Sequence, residues 1–169
     1  MTKQQFLNSV TNGGADVVKQ ILALLEQTGT DYCVIGGLAV NAYAEPVVSL
    51  DLDIVILADH AEPFFKKAPA KFKIQRFAHS VNLTAVKSDL RIQVQTDPRY
   101  QAFISRAIRR DVLGQQMKVA SLQDVLQGKL WAHADARRRK SKRQKDLADI
   151  YRLVEAHPHL KKRLPPSLE

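Results

Sequence analysis

Apolar residues at Val17, Val18, Ile21, Leu22, Leu24 and Leu25 recur at nearly 3.6-residue spacing and stop at Gly29, which predicts a core-facing helix over 14–28. The next stretch, Tyr32-Cys33-Val34-Ile35, is short and β-prone and is halted by Gly36-Gly37, so a strand entering a tight turn is expected. A short helix over 38–44 should follow, broken by Pro46. From Leu50 to Leu57 the pattern alternates: Leu52, Ile54 and Ile56 face a core, while Asp51 and Asp53 point the other way. A helical turn or two over 62–67 ends at Pro69, and three β-prone runs succeed it, 72–77, 81–86 and 90–95. In the last of these, Leu90, Ile92 and Val94 share one side, with Arg91, Gln93 and Gln95 on the other. The chain then reads as a helix over 100–109, an extended piece over 117–120, and a helix over 122–133 opened by Ser121 with Asp124 three residues on. A final helix over 144–155 is expected to bury Leu147, Ile150, Tyr151 and Val154.

This order gives an α/β chain, α+β in stricter usage: a small mixed sheet carrying the acidic strand, flanking helices, and two C-terminal helices closing a cleft. At 169 residues, one domain over 1–160 is expected, with 161–169 as a flexible tail around Pro165-Pro166. No run of about 18 apolar residues is present and the segment around Lys3 lacks the apolar stretch of a secretory signal, so the reading is cytoplasmic, with no membrane partner.

The formal charge of +9 changes the picture only locally. Seven basic residues lie between Arg137 and Lys145, leaving +2 for everything else. This block, with Arg138, Arg139, Lys142 and Arg143 as its candidate contacts, can attract the phosphates of a nucleotide or an RNA, or it can be a solvated loop. The lone Cys33 lies in an apolar stretch and reads as a buried thiol without chemistry. The five histidines show no metal-ligand spacing.

The chemistry-bearing feature is the acidic pair. Carboxylates at i and i+2 on a strand share a face about 6.5 to 7 Å apart, a distance that one cation bridges. Side by side they repel, so without a cation or basic partner one is pushed toward protonation. A hard ion, Mg2+ or Mn2+, suits them and keeps open positions for phosphate oxygens. Upstream, Gly36-Gly37 sits between a strand and a helix, where backbone N–H groups can approach a phosphate closely.

The joint pattern of a strand, Gly36-Gly37, a short helix and Asp51-Leu52-Asp53-Ile54 on the next strand resembles the signature of the DNA polymerase beta-like nucleotidyltransferase superfamily. The likeness extends to small bacterial nucleotidyltransferase-like proteins that include toxin components of abortive-infection and related toxin–antitoxin systems. It is carried there by Val119 to Ala132, which looks like the family's helix bearing a Lys, here Lys129, followed by a small residue, and by Lys145-Asp146-Leu147-Ala148-Asp149-Ile150. The resemblance implies the nucleotidyltransferase fold, Asp51 and Asp53 as catalytic metal ligands, and Gly36, Gly37, Ser49 and Lys129 as nucleotide-binding residues, Lys129 touching triphosphate or buttressing the acids. Lys145 and Asp146 would support the site. Implied partners are a nucleoside triphosphate and an antitoxin or a second copy of the chain, to which the basic run over 137–145 adds an RNA.

One departure bears on activity. Active members of the superfamily supply a third carboxylate from a later strand, and here the matching position holds Gln93, with Asp97 as the other candidate. An amide offers a carbonyl oxygen but no negative charge. Three functions therefore stay open: a metal-dependent nucleotidyltransferase with a hydroxyl acceptor, a catalytically impaired nucleotide- or RNA-binding module of the same fold, and an antitoxin-like or scaffolding partner.

Overall fold

The computed structural model describes Gln5, residues 14–112 and residues 114–169. The segment around Lys3, on which the expectation about export rests, lies outside these residues. The elements run α1 (Gly14–Gln27), β1 (Tyr32–Ile35), α2 (Gly36–Val40), β2 (Asp51–Ile56), α3 (Ala61–Lys67), β3 (Lys73–Arg76), β4 (Ser80–Thr84) and β5 (Arg91–Gln95). A 3-10 segment (Pro98–Arg106) then leads to β6 (Ile108–Val112), β7 (Gln115–Val119), α4 (Leu122–Ala134) and α5 (Lys140–Ala156). The strands form one seven-stranded mixed sheet in the order β3-β4-β5-β2-β1-β7-β6. Most neighbours are antiparallel, but β2 runs parallel to β5 and β1 runs parallel to β7.

Leu52, Ile54, Ile92 and Val94 are buried at the sheet centre, and Val17, Val18, Ile21, Leu24 and Leu25 of α1 join the same core. The alternation in β2 therefore does what the pattern demands: its apolar side is removed from water and Asp51 and Asp53 are left half-buried on the other side. Cys33 is fully buried, and burial pushes its thiol up to about 12, which leaves it protonated and inert at neutral pH.

Several boundaries differ from the sequence reading. The helix after β1 is shorter and earlier, taking in both glycines, and ends in turns at Asn41. The helix expected over 100–109 is a 3-10 segment that stops at Arg106, because Ile108 and Arg109 pair with Val119 and Lys118 in a β6–β7 hairpin. Gln101 anchors that segment, donating to the Ile56 carbonyl at 3.0 Å and accepting from Ala58 N–H at 2.9 Å. The last helix begins at Lys140, four residues early, so much of the basic run is helical and not a loop. Its inward side is also different: Tyr151 is 41% exposed, while Asp146, Asp149, Ile150, Leu153 and Val154 are buried. Beyond it, in the stretch expected to be a flexible tail, Leu164 is buried and Leu168 packs against the core behind a 3-10 turn. Among the described residues, no helix is long and apolar enough to cross a membrane.

Candidate active site

The sheet register fixes the acids. Asp53 lies opposite Ile35 of β1 on one side and Gln93 of β5 on the other, and Asp51 lies beside Arg91. Ile35 delivers the chain to Gly36, whose φ of +72° is natural only to glycine. A Cβ at Gly36 would collide with the Asp53 carboxyl group, so the backbone meets the acid at a distance that no other residue permits. Gly37 approaches Ser49, which is buried; its Oγ donates to the Asp51 carbonyl at 3.2 Å and accepts from Asp51 N–H at 3.4 Å. Gly36, Gly37, Ser49, Asp51 and Asp53 thus form one cluster. Because α2 has only five residues, its dipole contributes little, and the close backbone approach is the larger effect.

The two carboxylates differ sharply. Asp51 Oδ1 accepts from Arg91 Nε at 3.0 Å and lies 3.0 Å from its Nη2, and Lys142 Nζ stands 3.7 Å from Oδ2. Asp53 makes no hydrogen bond or ion pair among the described residues. Burial, and then the charge of Asp51, push Asp53 up to about 6, against the opposing pull of Lys129, Arg138 and Arg91.

A cleft of about 90 Å³ opens in front of Asp53, with Gln93 and Gln95 on the sheet side. Tyr100 and Gly128 line it too, and they are in close contact: a Cβ on Gly128 would lie 3.3 Å from the Tyr100 ring. The far wall carries Lys129 of α4 and Arg138 and Asp146 from the α4–α5 connection and α5. Lys129 is 7% exposed; its Nζ lies 3.0 Å from Asp146 Oδ1 and 2.8 Å from Asp149 Oδ2. Burial alone would lower this ammonium's pKa, but Asp149 and Asp146 outweigh it and the net shift is upward, so the lysine stays charged. Arg138 bonds the other oxygen of Asp146 at 2.7 Å, and Arg152 bonds Asp149 at 2.8 Å. Arg152 also donates to Asn41 Oδ1 at 3.0 Å and to the Glu45 carbonyl, tying α5 to the loop ahead of β2. Three cations face two carboxylates here, and two of the three, Lys129 and Arg138, line the cleft.

Asp97 is not at the site. It caps the 3-10 segment, accepting from Arg99 N–H at 3.0 Å and pairing with the Arg99 side chain at 2.9 Å, and these bonds hold its carboxyl below the usual range. The nearer carboxylate is Asp124, which lines the cleft but is clasped by Arg106 at 2.8 and 3.0 Å. Lys145 is exposed and away from these contacts. Of the basic run, Arg138 and Lys142 turn inward, Arg143 donates to the His133 carbonyl at 2.8 Å, and Arg139 is exposed without an ion pair among the described residues. Arg91, Asp149 and Arg152 carried no assigned role in the sequence. Asp149 lay within the Lys145-to-Ile150 motif, but Arg91 could be found only from the pairing of β2 with β5.

The donor set suits one hard cation. Among the described residues Asp53 has no hydrogen-bond or ion-pair partner, Asp51 shares its face, and Gln93 adds a neutral oxygen, but no group of three or more acidic, histidine or cysteine side chains fit to hold a metal occurs there.

A family model described as nucleotidyl transferase AbiEii toxin, type IV TA system, matches residues 55–165, beginning just after Asp53 and spanning Gln93, Lys129 and Asp146. The structure is similar to that of the lincosamide antibiotic adenylyltransferase LnuA, lincomycin-bound, at 13% identity and a TM-score of 0.56, covering 80% of this chain and 95% of that one. It is also similar to ANT(2")-Ia in complex with adenylyl-2"-tobramycin, at 12% identity, TM-score 0.56 and coverage of 88% and 97%. A putative nucleotidyltransferase from Thermotoga maritima matches at 14% identity, TM-score 0.54 and coverage of 78% and 86%. These likenesses show a shared nucleotidyltransferase fold. No curated protein matches the sequence.

Proposed function

The chain belongs to the family of nucleotidyltransferase AbiEii toxins of type IV toxin–antitoxin systems, and on that premise we propose that it moves a nucleoside monophosphate from a nucleoside triphosphate to a hydroxyl acceptor in the cytoplasm. The observation that carries this reading is Asp53: a half-buried carboxylate without a hydrogen-bond or ion-pair partner among the described residues, held against the Gly36 backbone and facing a wall of Lys129 and Arg138. A triphosphate fits between the two, its oxygens toward Lys129 and Arg138. Mg2+ or Mn2+ at the Asp51–Asp53 pair would supply Lewis-acid neutralisation of phosphate charge. Attack by the acceptor oxygen on the α-phosphorus forms one P–O bond, breaks the α–β bridge and releases pyrophosphate. The hydroxyl proton leaves to water, because Gln93 stands where a third carboxylate would take it.

The acceptor we favour is RNA, met by the outward cations Arg139, Lys140 and Lys145, since Lys142 and Arg143 are engaged within the protein and Arg138 lines the cleft. An antitoxin partner follows from the family. Gln93 favours a second reading, a module that binds nucleotide but transfers it slowly. The test is the melting temperature with nucleoside triphosphate, with and without Mg2+, followed by transfer of labelled nucleotide to bulk RNA. A metal-dependent rise that Asp53→Asn abolishes supports the site; an equal rise in the variant refutes it. Transfer by the wild type selects the enzyme, and binding without transfer selects the module.

A further inference from the structure

We propose that Arg91 and Lys142 are fixed cations standing in for a second divalent ion, so that the cleft takes one metal at the acidic pair and not two. The inference rests on the nucleotide-binding reading above and specifies how this chain departs from a two-metal arrangement. Both oxygens of Asp51 already face cations: Oδ1 is 3.0 Å from Arg91 Nε and 3.0 Å from Arg91 Nη2, and Oδ2 is 3.7 Å from Lys142 Nζ. The β2–β5 register makes the Arg91 contact a consequence of the fold, since Arg91 is the direct neighbour of Asp51 just as Gln93 is of Asp53. Lys142 arrives separately, from the first turns of α5.

The charge balance points the same way. Two carboxylates and two fixed cations cancel before any metal enters. One dication then binds against Asp53 and the triphosphate, whereas a second would add two more positive charges beside Arg91 and Lys142. A two-metal site also needs ligands that bridge both ions, and the position that would supply the extra carboxylate holds the neutral Gln93. Arg91 acts through Asp51 and is a positioning residue: it orients that carboxylate and keeps one of its oxygens from a metal.

The test counts metal. The full chain is dialysed against Mn2+ with a mixture of the four α,β-methylene nucleoside triphosphates, and bound Mn2+ per protein is read by electron paramagnetic resonance. The wild type should hold one Mn2+, and Arg91→Gln should bind Mn2+ about tenfold more tightly or admit a second ion, by release of roughly one charge-assisted pair. Lys142→Gln should shift affinity the same way, and it tests the idea if Arg91→Gln fails to fold. Two Mn2+ in the wild type overturn the inference but leave the nucleotidyltransferase reading standing. Unchanged or weaker Mn2+ binding in both variants also overturns it. No Mn2+ and no nucleotide retained by the wild type removes the reading on which it rests.

Discussion

Replacing Asp53 with Asn should make the metal-free protein more stable at neutral pH. The ionised carboxylate is half-buried, lies beside Asp51 and lacks a hydrogen-bond or ion-pair partner among the described residues, and its pKa is raised from 3.8 to about 6. A carboxyl raised by folding contributes most stability below its unfolded value, near 3.8, and loses it as the pH climbs through about 6. At 1.36 kcal/mol per unit, the full cost at pH 8 is about 3 kcal/mol, and water in the open cleft reduces it to about 1–2 kcal/mol. Asn keeps the shape without the charge, so Asp53→Asn should gain that amount at pH 8, and the gain should shrink by about half at pH 5. Urea denaturation in EDTA at the two pH values measures both quantities. A variant less stable than wild type at pH 8 would mean that the protein holds the Asp53 charge favourably, and the electrostatic account of the site would be wrong.

Lys129→Met should cost about 3 kcal/mol, because it leaves Asp146 and Asp149, 1% and 3% exposed, with only Arg138 and Arg152 to balance them; chemical denaturation at pH 7 checks this, and a neutral effect would refute the buried-network account. Gly36→Ala should lose about 2 kcal/mol through its left-handed backbone and the clash with Asp53, and with it the metal-dependent rise in melting temperature produced by nucleotide. Arg139→Gln should leave the melting temperature unchanged while lowering the slope of log affinity for single-stranded RNA against log salt by about 0.7, the signature of one lost phosphate contact.

Local patterns spoke clearly wherever a side chain's role is set by its near neighbours. The alternation from Leu50 to Leu57 located the acidic strand, and the Gly36-Gly37 turn lies against Asp53 and Ser49. Contacts between distant segments were silent. Arg91 was visible as an outward residue, but its grip on Asp51 exists only once β5 lies parallel to β2. Tyr100, Phe103 and Ile104 have helical spacing and are buried, yet the helix expected through Arg109 gives way because Ile108 completes a hairpin with Val119. The start of α5 was hidden because Lys140 to Arg143 offer no apolar signal. Its phase was misjudged because two of its inward positions are Asp146 and Asp149; equating inward with apolar fails where carboxylates are neutralised in place.

The wall of Lys129, Asp146, Asp149 and Arg152 has a consequence for the protein's birth. The acidic pair is complete once residue 53 has been made, but apart from Arg91 of β5 its counter-charges come from α4, α5 and their connection, and the clamp from Arg152 to Asn41 and Glu45 closes nearly a hundred residues later. At ribosomal speeds of about 5–20 residues per second, the nascent chain spends roughly 5–20 s between its acids and the last of their counterweights. The cleft in front of Asp53 is therefore complete only once α5, which brings Asp146 to its far wall, has been made.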